Sequence, residues 1–292
     1  MNSENKLARK KRINQKIAFG IFTLISYSVV ALLFVILAFI VVKGIGVISW
    51  EFISAMPSNG MTEGGIFPAI IGTLCLVLVS MVFAFPVGVF AAIYMTEYVK
   101  DGWIKKIIKQ MTNNLAGVPS IVFGLFGMSL FVNKLGFGDS ILAGGLTLGL
   151  LVLPVVIRTT EESLKAVDST FRQASLGLGA SKWQTTSKVV LPIAFPNIIT
   201  GLILSVGRVS GETAPILFTV AAYFLPKLPT SIFDQAMALP YHLYVIATSG
   251  TNIEKSRAMA YGTALILIII VLISNLLANA LRKYYGKKVK MN

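Results

Sequence analysis

Residues 258–281 read AMAYGTALILIIIVLISNLLANAL, an uncharged stretch between Arg257 and Arg282. A helix needs roughly 20 apolar residues to cross the hydrocarbon core of a membrane. Backbone polar groups cannot bond to water in lipid, which leaves helices or closed barrels as spanning structures. The stretch lacks the alternating pattern of a barrel strand. It therefore predicts a membrane-spanning helix.

Five further apolar regions precede this stretch. Four of them carry no charge, and the fifth is interrupted only by Arg208 and Glu212. The five regions lie at 17–42, 64–96, 110–133, 140–157 and about 193–225. The first is longer than the apolar core of a signal peptide, so we expect it to be retained. The predicted fold class is an all-α polytopic membrane protein with six transmembrane helices.

The composition supports this class and excludes others. Hydrophobic residues form 55% of the 292 residues and charged residues 13%, against roughly 25% charged in a soluble domain. One cysteine excludes an internal disulfide framework, and the single histidine, His242, has no partners for a metal site. We therefore expect no metal and no cofactor, and we expect His242 in a loop or at the level of the lipid headgroups.

The positions of the basic residues predict the orientation of the chain in the membrane. The net charge is +14, and 20 of the 26 Lys and Arg residues lie in four segments: the two tails, the loop after the second span and the loop after the fourth. Six spans place these segments on one side, which must be cytoplasmic. Both termini are predicted inside, in the plasma (inner) membrane. The scattered charges suit contact with membrane lipid and argue against a nucleic-acid partner.

The cytoplasmic loop 158–192 contains helical patterns separated by small residues. Asp168 begins a cluster that favours a helix N-cap, with a helix predicted over 171–178 and another over 182–190. Pro192 is expected to stop or kink the latter. This loop could be a projection to which another protein binds, or it could be an ordinary helical linker. The spacing alone leaves both interpretations open.

This loop resembles the EAA loop of ATP-binding-cassette importer permeases. That pattern is Glu-Ala-Ala, three residues, Gly, nine residues, Ile, one residue, Leu-Pro, and the spacing here is identical. Gln, Ser and Val replace Glu, Ala and Ile, and Gln173 keeps the hydrogen bonding without the charge. The resemblance implies that contact with the ATPase involves Gln173, Ala174, Ser175, Gly179, Ala180, Leu191 and Pro192.

Four more stretches are similar to the PstA-type permeases of bacterial phosphate importers. They lie at 65–74, 114–124, 208–215 and 239–244. The resemblance implies a type I importer (MetI-like) permease fold and transport of inorganic phosphate. It also implies a second, PstC-type permease subunit, two copies of an ATPase subunit and an extracytoplasmic phosphate-binding protein. The chain has no Gly-rich Walker loop, so ATP hydrolysis is expected on the separate ATPase and not on this chain.

The predicted organisation follows. We expect a basic tail over 1–16, a first helix and external loop over 17–63, a permease domain over 64–282 and a second basic tail over 283–292. Within the permease domain the predicted helices lie at about 66–94, 112–133, 139–157, 193–222 and 258–281, with the coupling loop at 158–192.

Arg208 and Glu212 are the charges inside a predicted span. A central Arg costs roughly 2.5–3.5 kcal/mol on insertion scales and should have a partner. The i, i+4 spacing places both residues on one helix face, so one hypothesis is an ion pair that fixes helix packing. The other is a substrate pathway, because Arg donors suit phosphate oxygens and the resemblance favours it. Ser210 and Thr213 could add hydroxyl donors.

Competing functions remain at this stage. A permease for another oxyanion, molybdate or sulfate, would have the same architecture. A secondary transporter should show inverted repeats and several intramembrane ionisable groups, and a membrane enzyme needs a cluster of His, Asp or Glu. The sequence shows no clear repeat, one intramembrane pair and isolated acids.

Overall fold

The computed structural model describes residues 2–249 and 253–291, with side chains over 11–249 and 255–286. The side chains at 1–10 and 287–292, which are parts of the predicted basic tails 1–16 and 283–292, lie outside the described residues. The helices are α1 (Asn2–Gly44), α2 (Trp50–Ser54), α3 (Phe67–Ile93), α4 (Trp103–Ala116), α5 (Ser120–Gly127), α6 (Ile141–Lys165), α7 (Ser169–Gly177), α8 (Lys182–Thr185), α9 (Leu191–Gly211), α10 (Ala214–Leu217), α11 (Leu239–Ser249) and α12 (Ile253–Met291). Strands β1 (Pro57–Ser58) and β2 (Glu63–Gly64) pair antiparallel around a short 3-10 turn, Asn59–Met61. Three π-helical segments continue α3, α5 and α8, at Tyr94–Tyr98, Met128–Lys134 and Thr186–Val190.

Five helical segments in the described part of the chain are long and apolar enough to cross a membrane, and the count rises to six if a bent helix pair is taken as one span. The five are Lys11–Gly44, Phe67–Tyr98, Ile141–Lys165, Lys182–Gly211 and Lys255–Gly286. The all-α membrane fold predicted from the sequence is confirmed. The cytoplasmic placement of both termini stays a prediction.

The third apolar region differs from the single helix predicted over 112–133. It consists of α4 and α5, which meet at an angle of 100°. Pro119 is the N-cap of α5, and a proline both lacks an amide donor and keeps the preceding residue out of the helical conformation. The helix therefore stops at Ala116 and starts again at Ser120. None of the α4 residues is buried.

Pro192 was predicted to stop or kink the helix before it, and the structure rules out the stop. Residues 182–211 form one helical segment in which the π-helical turn Thr186–Val190 comes immediately before α9. A π turn widens the backbone locally, and this makes room for a residue that cannot donate to the preceding turn.

The helix predicted over 193–222 ends at Gly211. Glu212 has extended backbone angles, φ −75° and ψ 128°, and the chain then turns into α10. Pro215 supplies the reason, since its ring would clash with the carbonyl of Gly211 and it has no amide to donate there. Arg208 thus lies in the last turn of α9, and Glu212 lies just beyond it.

Helices α3 and α6 form the centre of the bundle, with α9 and α12 packed beside them. Glycines permit the close approach of α3 and α6: a Cβ added to Gly145 would lie 2.4 Å from Val79 Cγ1, and one added to Gly88 would lie 2.7 Å from Val156 Cγ1. Small residues at helix contacts are typical of membrane bundles. The core at this contact includes the buried residues Leu76, Leu148, Leu151 and Val152.

The segment between α10 and α11 folds back onto the end of the bundle at which α6 begins. Its carbonyls accept hydrogen bonds from the first amides of α6, with Ile141 N donating to Asp234 O at 2.9 Å and Leu142 N to Ile232 O at 2.8 Å. Helix starts have unpaired amides that need such partners. His242 follows in α11, where it is 2% exposed and its Nδ1 lies 3.3 Å from Thr263 Oγ1. The prediction of a loop position for His242 is wrong, because the residue is buried in helix α11, and its level relative to the lipid headgroups stays a prediction.

Candidate functional site

Arg208 lies near the middle of the bundle. The adjacent helices α6 and α9 run in opposite directions, and a Cβ added to Gly201 on α9 would lie 2.0 Å from Thr159 Oγ1 on α6. Seven residues further along α9, Arg208 is therefore near the level of Val152, at the midpoint of Ile141–Lys165. Its depth in a membrane stays a prediction.

Arg208 and Glu212 form an ion pair, with 3.3 Å between Arg208 Nε and Glu212 Oε1. The Arg208 side chain is 39% exposed and the Glu212 side chain 18%. A cation in the last turn of a helix is favoured by the helix dipole, and the acid one turn away lowers the cost of placing it at this depth. The pair therefore points out of the bundle core and not into it.

Ser210 and Thr213, the two residues predicted to add hydroxyl donors, differ in burial. Ser210 is buried and its hydroxyl donates to Val206 O at 2.8 Å within α9. Thr213 is partly exposed at the N-cap of α10. Of the four predicted pathway residues, Arg208 and Glu212 meet, Thr213 follows them in the chain, and the Ser210 hydroxyl is already bonded within its own helix.

A second helix interruption lies close to the same level. A Cβ added to Gly127 would lie 2.1 Å from Thr147 Oγ1, so the break at Pro119 is near the level of residue 155 on α6. The two interrupted segments touch, since a Cβ on Gly124 would lie 3.0 Å from both Ala214 O and Pro215 Cα. Irregular backbone at membrane depth is tolerated where it is covered by protein or lines a cavity. Hydropathy does not show this break, although Gly117, Pro119 and Ser120 permit either a local break or a close helix approach.

The predicted coupling loop is a compact projection. Asp168 caps α7, because its Oδ1 accepts from Thr170 N at 2.9 Å, and this hydrogen bond lowers the pKa of the Asp168 carboxyl. The helix ends before Gly179, whose φ of +85° is the left-handed region that favours glycine. The N-cap predicted at Asp168 is confirmed.

Large apolar side chains are exposed on this projection. They are Phe171, Leu176, Leu178 and Trp183, and Leu178 is 90% exposed. A cluster of exposed apolar side chains marks a surface for contact with another protein. The geometry therefore favours a docking surface over an ordinary linker.

The residues that carry the EAA resemblance fall into two groups. Gln173, Ala174 and Gly179 are exposed on α7 and its following turn, with Ser175 and Ala180 partly buried beside them. Leu191 and Pro192 begin α9, and Leu191 packs against the buried cluster around Leu164 and Val190. The first group thus forms the projecting surface, whereas the second attaches it to the bundle.

Titratable clusters of the metal-binding kind are not found. Across the part of the chain that the structure describes, no three His, Cys, Asp or Glu side chains are grouped so that they could hold a metal ion.

Comparison with known proteins gives a family match over most of the chain. Residues 84–291 match the family described as binding-protein-dependent transport system inner membrane component. The probable ABC transporter permease protein YqgI of Bacillus subtilis is 35% identical over 97% of this chain and 99% of that protein. The phosphate transport system permease protein PstA 1 of Mycobacterium tuberculosis is 42% identical over 75% of this chain and 71% of that protein.

A solved structure gives the same fold. A chain from the inward facing conformations of the MetNI methionine ABC transporter superposes with a TM-score of 0.59 at 17% identity, over 75% of this chain and 94% of that chain. This likeness confirms the predicted type I importer permease fold.

Proposed function

This chain belongs to the family of binding-protein-dependent transport system inner membrane components, and from this we propose that it is the permease subunit of an ATP-driven phosphate importer. It carries inorganic phosphate across the plasma membrane through a permease domain over 64–282. The observation that carries the proposal is the Arg208–Glu212 pair, a partly exposed charge at mid-depth beside two helix interruptions. The names of relatives such as the mycobacterial phosphate permease support the substrate.

The pair suits passage of an anion and not its storage. The planar guanidinium of Arg208 offers several donors to phosphate oxygens. Glu212, with its Oε1 3.3 Å from Arg208 Nε, offsets part of that attraction. Conduction requires a contact strong enough to admit the ion and weak enough to release it. Thr213, which is partly exposed, extends the contact.

The partners follow from two surfaces. The exposed Arg208 face would be expensive against lipid, so a second, PstC-type permease subunit covers it and the pathway runs between the two subunits. The projection around Gln173–Ser181 acts as the coupling helix and docks into one of two ATPase subunits. An extracytoplasmic phosphate-binding protein delivers the substrate from outside.

The transport cycle links these surfaces. ATP binding brings the two ATPase subunits together and moves the coupling projections, which changes the permease pair from inward to outward opening. Phosphate then enters from the binding protein, and ATP hydrolysis returns the pair to the inward state. ATP hydrolysis occurs on the partner, because this chain carries no Gly-rich Walker loop.

Phosphate uptake into proteoliposomes tests the site in the full complex. We expect Arg208→Gln to reduce uptake by about tenfold or more, since a hydrogen bond to a charged group contributes about 1.5–3 kcal/mol, while the complex assembles normally. Arg158→Gln is the matched control, because Arg158 Nε lies 3.2 Å from Glu162 Oε1 in an exposed pair of the same spacing on α6.

Two results would count against the site. Normal uptake by Arg208→Gln would remove Arg208 from the pathway, and loss of the assembled complex would make the pair structural. Uptake of each labelled oxyanion decides the substrate: if labelled sulfate or molybdate is taken up, and labelled phosphate is not, the importer carries another oxyanion.

A further inference from the structure

Arg172 forms a polar link between the coupling projection and the bundle. It precedes Gln173 in α7, and its side chain points inward, with 22% exposed. Its Nη1 donates to Val167 O and its Nη2 to Leu164 O, both at 2.8 Å. Leu164 lies in the last turn of α6 and Val167 just beyond it, where helix carbonyls carry partial negative charge. Arg172 therefore holds the inner end of α6 directly.

The same guanidinium also holds the inner end of α3. Arg172 Nη2 lies 2.8 Å from Glu97 Oε1, and Arg172 Nε lies 3.3 Å from both Glu97 oxygens. The Glu97 side chain is 8% exposed, so the pair is largely shielded from solvent. Ionic contacts that are shielded in this way are strong and depend closely on geometry. One side chain on the projection thus joins two central helices.

A second contact reinforces this link. Lys182, on the other side of the projection, places its Nζ 5.4 Å from the centroid of the Tyr98 ring, a cation–π distance. The hydroxyls of Ser175 and Thr185 lie 2.9 Å apart and close the projection on itself. Both sides of the projection therefore reach Glu97 and Tyr98, which are neighbours at the end of α3.

These two residues belong to a π-helical segment, Tyr94–Tyr98. π turns are rare and are frequent at functional sites. The opposite end of α3 is also attached, because Thr73 Oγ1 accepts from Leu239 N at 2.8 Å in the outer segment. Helix α3 thus extends from the coupling projection to the outer end of the bundle, and its inner end continues into the π-helical segment.

We propose that the Glu97–Arg172 ion pair is the link through which the coupling projection moves α3 and α6 together when the ATPase closes. Arg172 and Glu97 are positioning residues that act between the ATPase and the pathway, and neither contacts substrate. The π-helical segment is the place where α3 changes its register during the movement. This inference rests on the proposed function and adds how movement reaches the outer end of the bundle.

The test uses the full complex with its ATPase and binding protein in proteoliposomes. Glu97→Gln and Arg172→Gln should assemble and hydrolyse ATP, because the exposed face of α7 is unchanged. The phosphate transported per ATP hydrolysed should fall by about tenfold, within the range of a typical coupling free energy. Changing both residues should cost no more than either change alone, since one interaction is lost in each case.

The control pair is Arg158 and Glu162, which has the same residue types at the same end of α6 and is exposed. Arg158→Gln should leave the transport ratio unchanged. A normal ratio in both Glu97→Gln and Arg172→Gln would overturn the proposal. Failure of the ATPase to co-purify with Glu97→Gln and also with the conservative Glu97→Asp would make the pair a structural clamp and would overturn it equally. Failure of the proposed function itself would be seen separately, as absence of phosphate transport by the unmodified complex.

Discussion

Thr73→Val tests how the start of α11 is held on α3. Thr73 is 3% exposed, and its hydroxyl donates to Ala69 O and accepts from Leu239 N, both at 2.8 Å. Leu239 is the first residue of α11 and is fully buried. Its amide is one of the unpaired donors at a helix start, and the next residue, Pro240, has none to share. The Thr73 hydroxyl is thus the cap of α11.

The magnitude follows from this geometry. Valine has nearly the shape of threonine, so no cavity forms and the packing contribution changes little. The buried Leu239 amide loses its acceptor, and an unsatisfied buried donor costs about 1–3 kcal/mol. We therefore expect the free energy of unfolding to fall by that amount. Thr73→Ser is the matched control, since it keeps the hydroxyl and loses one methyl group.

The measurement is reversible unfolding in mixed micelles with increasing SDS, followed by tryptophan fluorescence. Amide hydrogen exchange at Leu239 gives a local measurement, which should accelerate in the valine variant and not in the serine variant. Equal stability and equal Leu239 exchange in the valine variant and the unmodified chain would refute the reasoning, because the hydrogen bond would then contribute nothing.

Three further predictions concern single residues. Gly179→Ala should weaken co-purification of the ATPase because φ is +85° there, whereas Gly177→Ala, where an added Cβ meets nothing within 4 Å, should not; equal recovery would contradict this. Gly127→Ala should lower stability by about 1–3 kcal/mol, since its Cβ would lie 2.1 Å from Thr147 Oγ1, and unchanged SDS unfolding would disprove it. Burial lowers the pKa of His242 from 6.5 to about 4, so the unfolded chain binds the proton first as pH falls. Stability should decrease by about 1.4 kcal/mol per pH unit between these values, and His242→Gln should flatten that slope in the same unfolding measurement.

Side-chain hydropathy was enough to find the spanning segments, because burial in lipid acts on each apolar run independently. It was not enough to find the break at Pro119. The residues 110–133 are uncharged throughout, and the interruption depends on a backbone donor that proline lacks. The same limit explains why hydropathy did not show that the helix continues through Pro192. A π turn immediately upstream accommodates the proline without a break.

The site was only partly predictable for a related reason. Arg208 and Glu212 are four residues apart, so their pairing follows from local helix geometry. Arg172 and Glu97 are 75 residues apart, and no local pattern identifies either as the partner of the other. His242 likewise becomes buried only because α11 packs against α12.

The packing also limits where a pathway can run. At the level of Arg208 the bundle interior is filled by Leu148, Leu151 and Val152, none of them more than 2% exposed, so an anion has no route through the middle of this chain. The Arg208 side chain points away from that core and is 39% exposed. Facing lipid at mid-depth, it would cost about 2.5–3.5 kcal/mol, which the pairing with Glu212 offsets only in part. We therefore expect a second subunit to cover this face, with the pathway enclosed between the two.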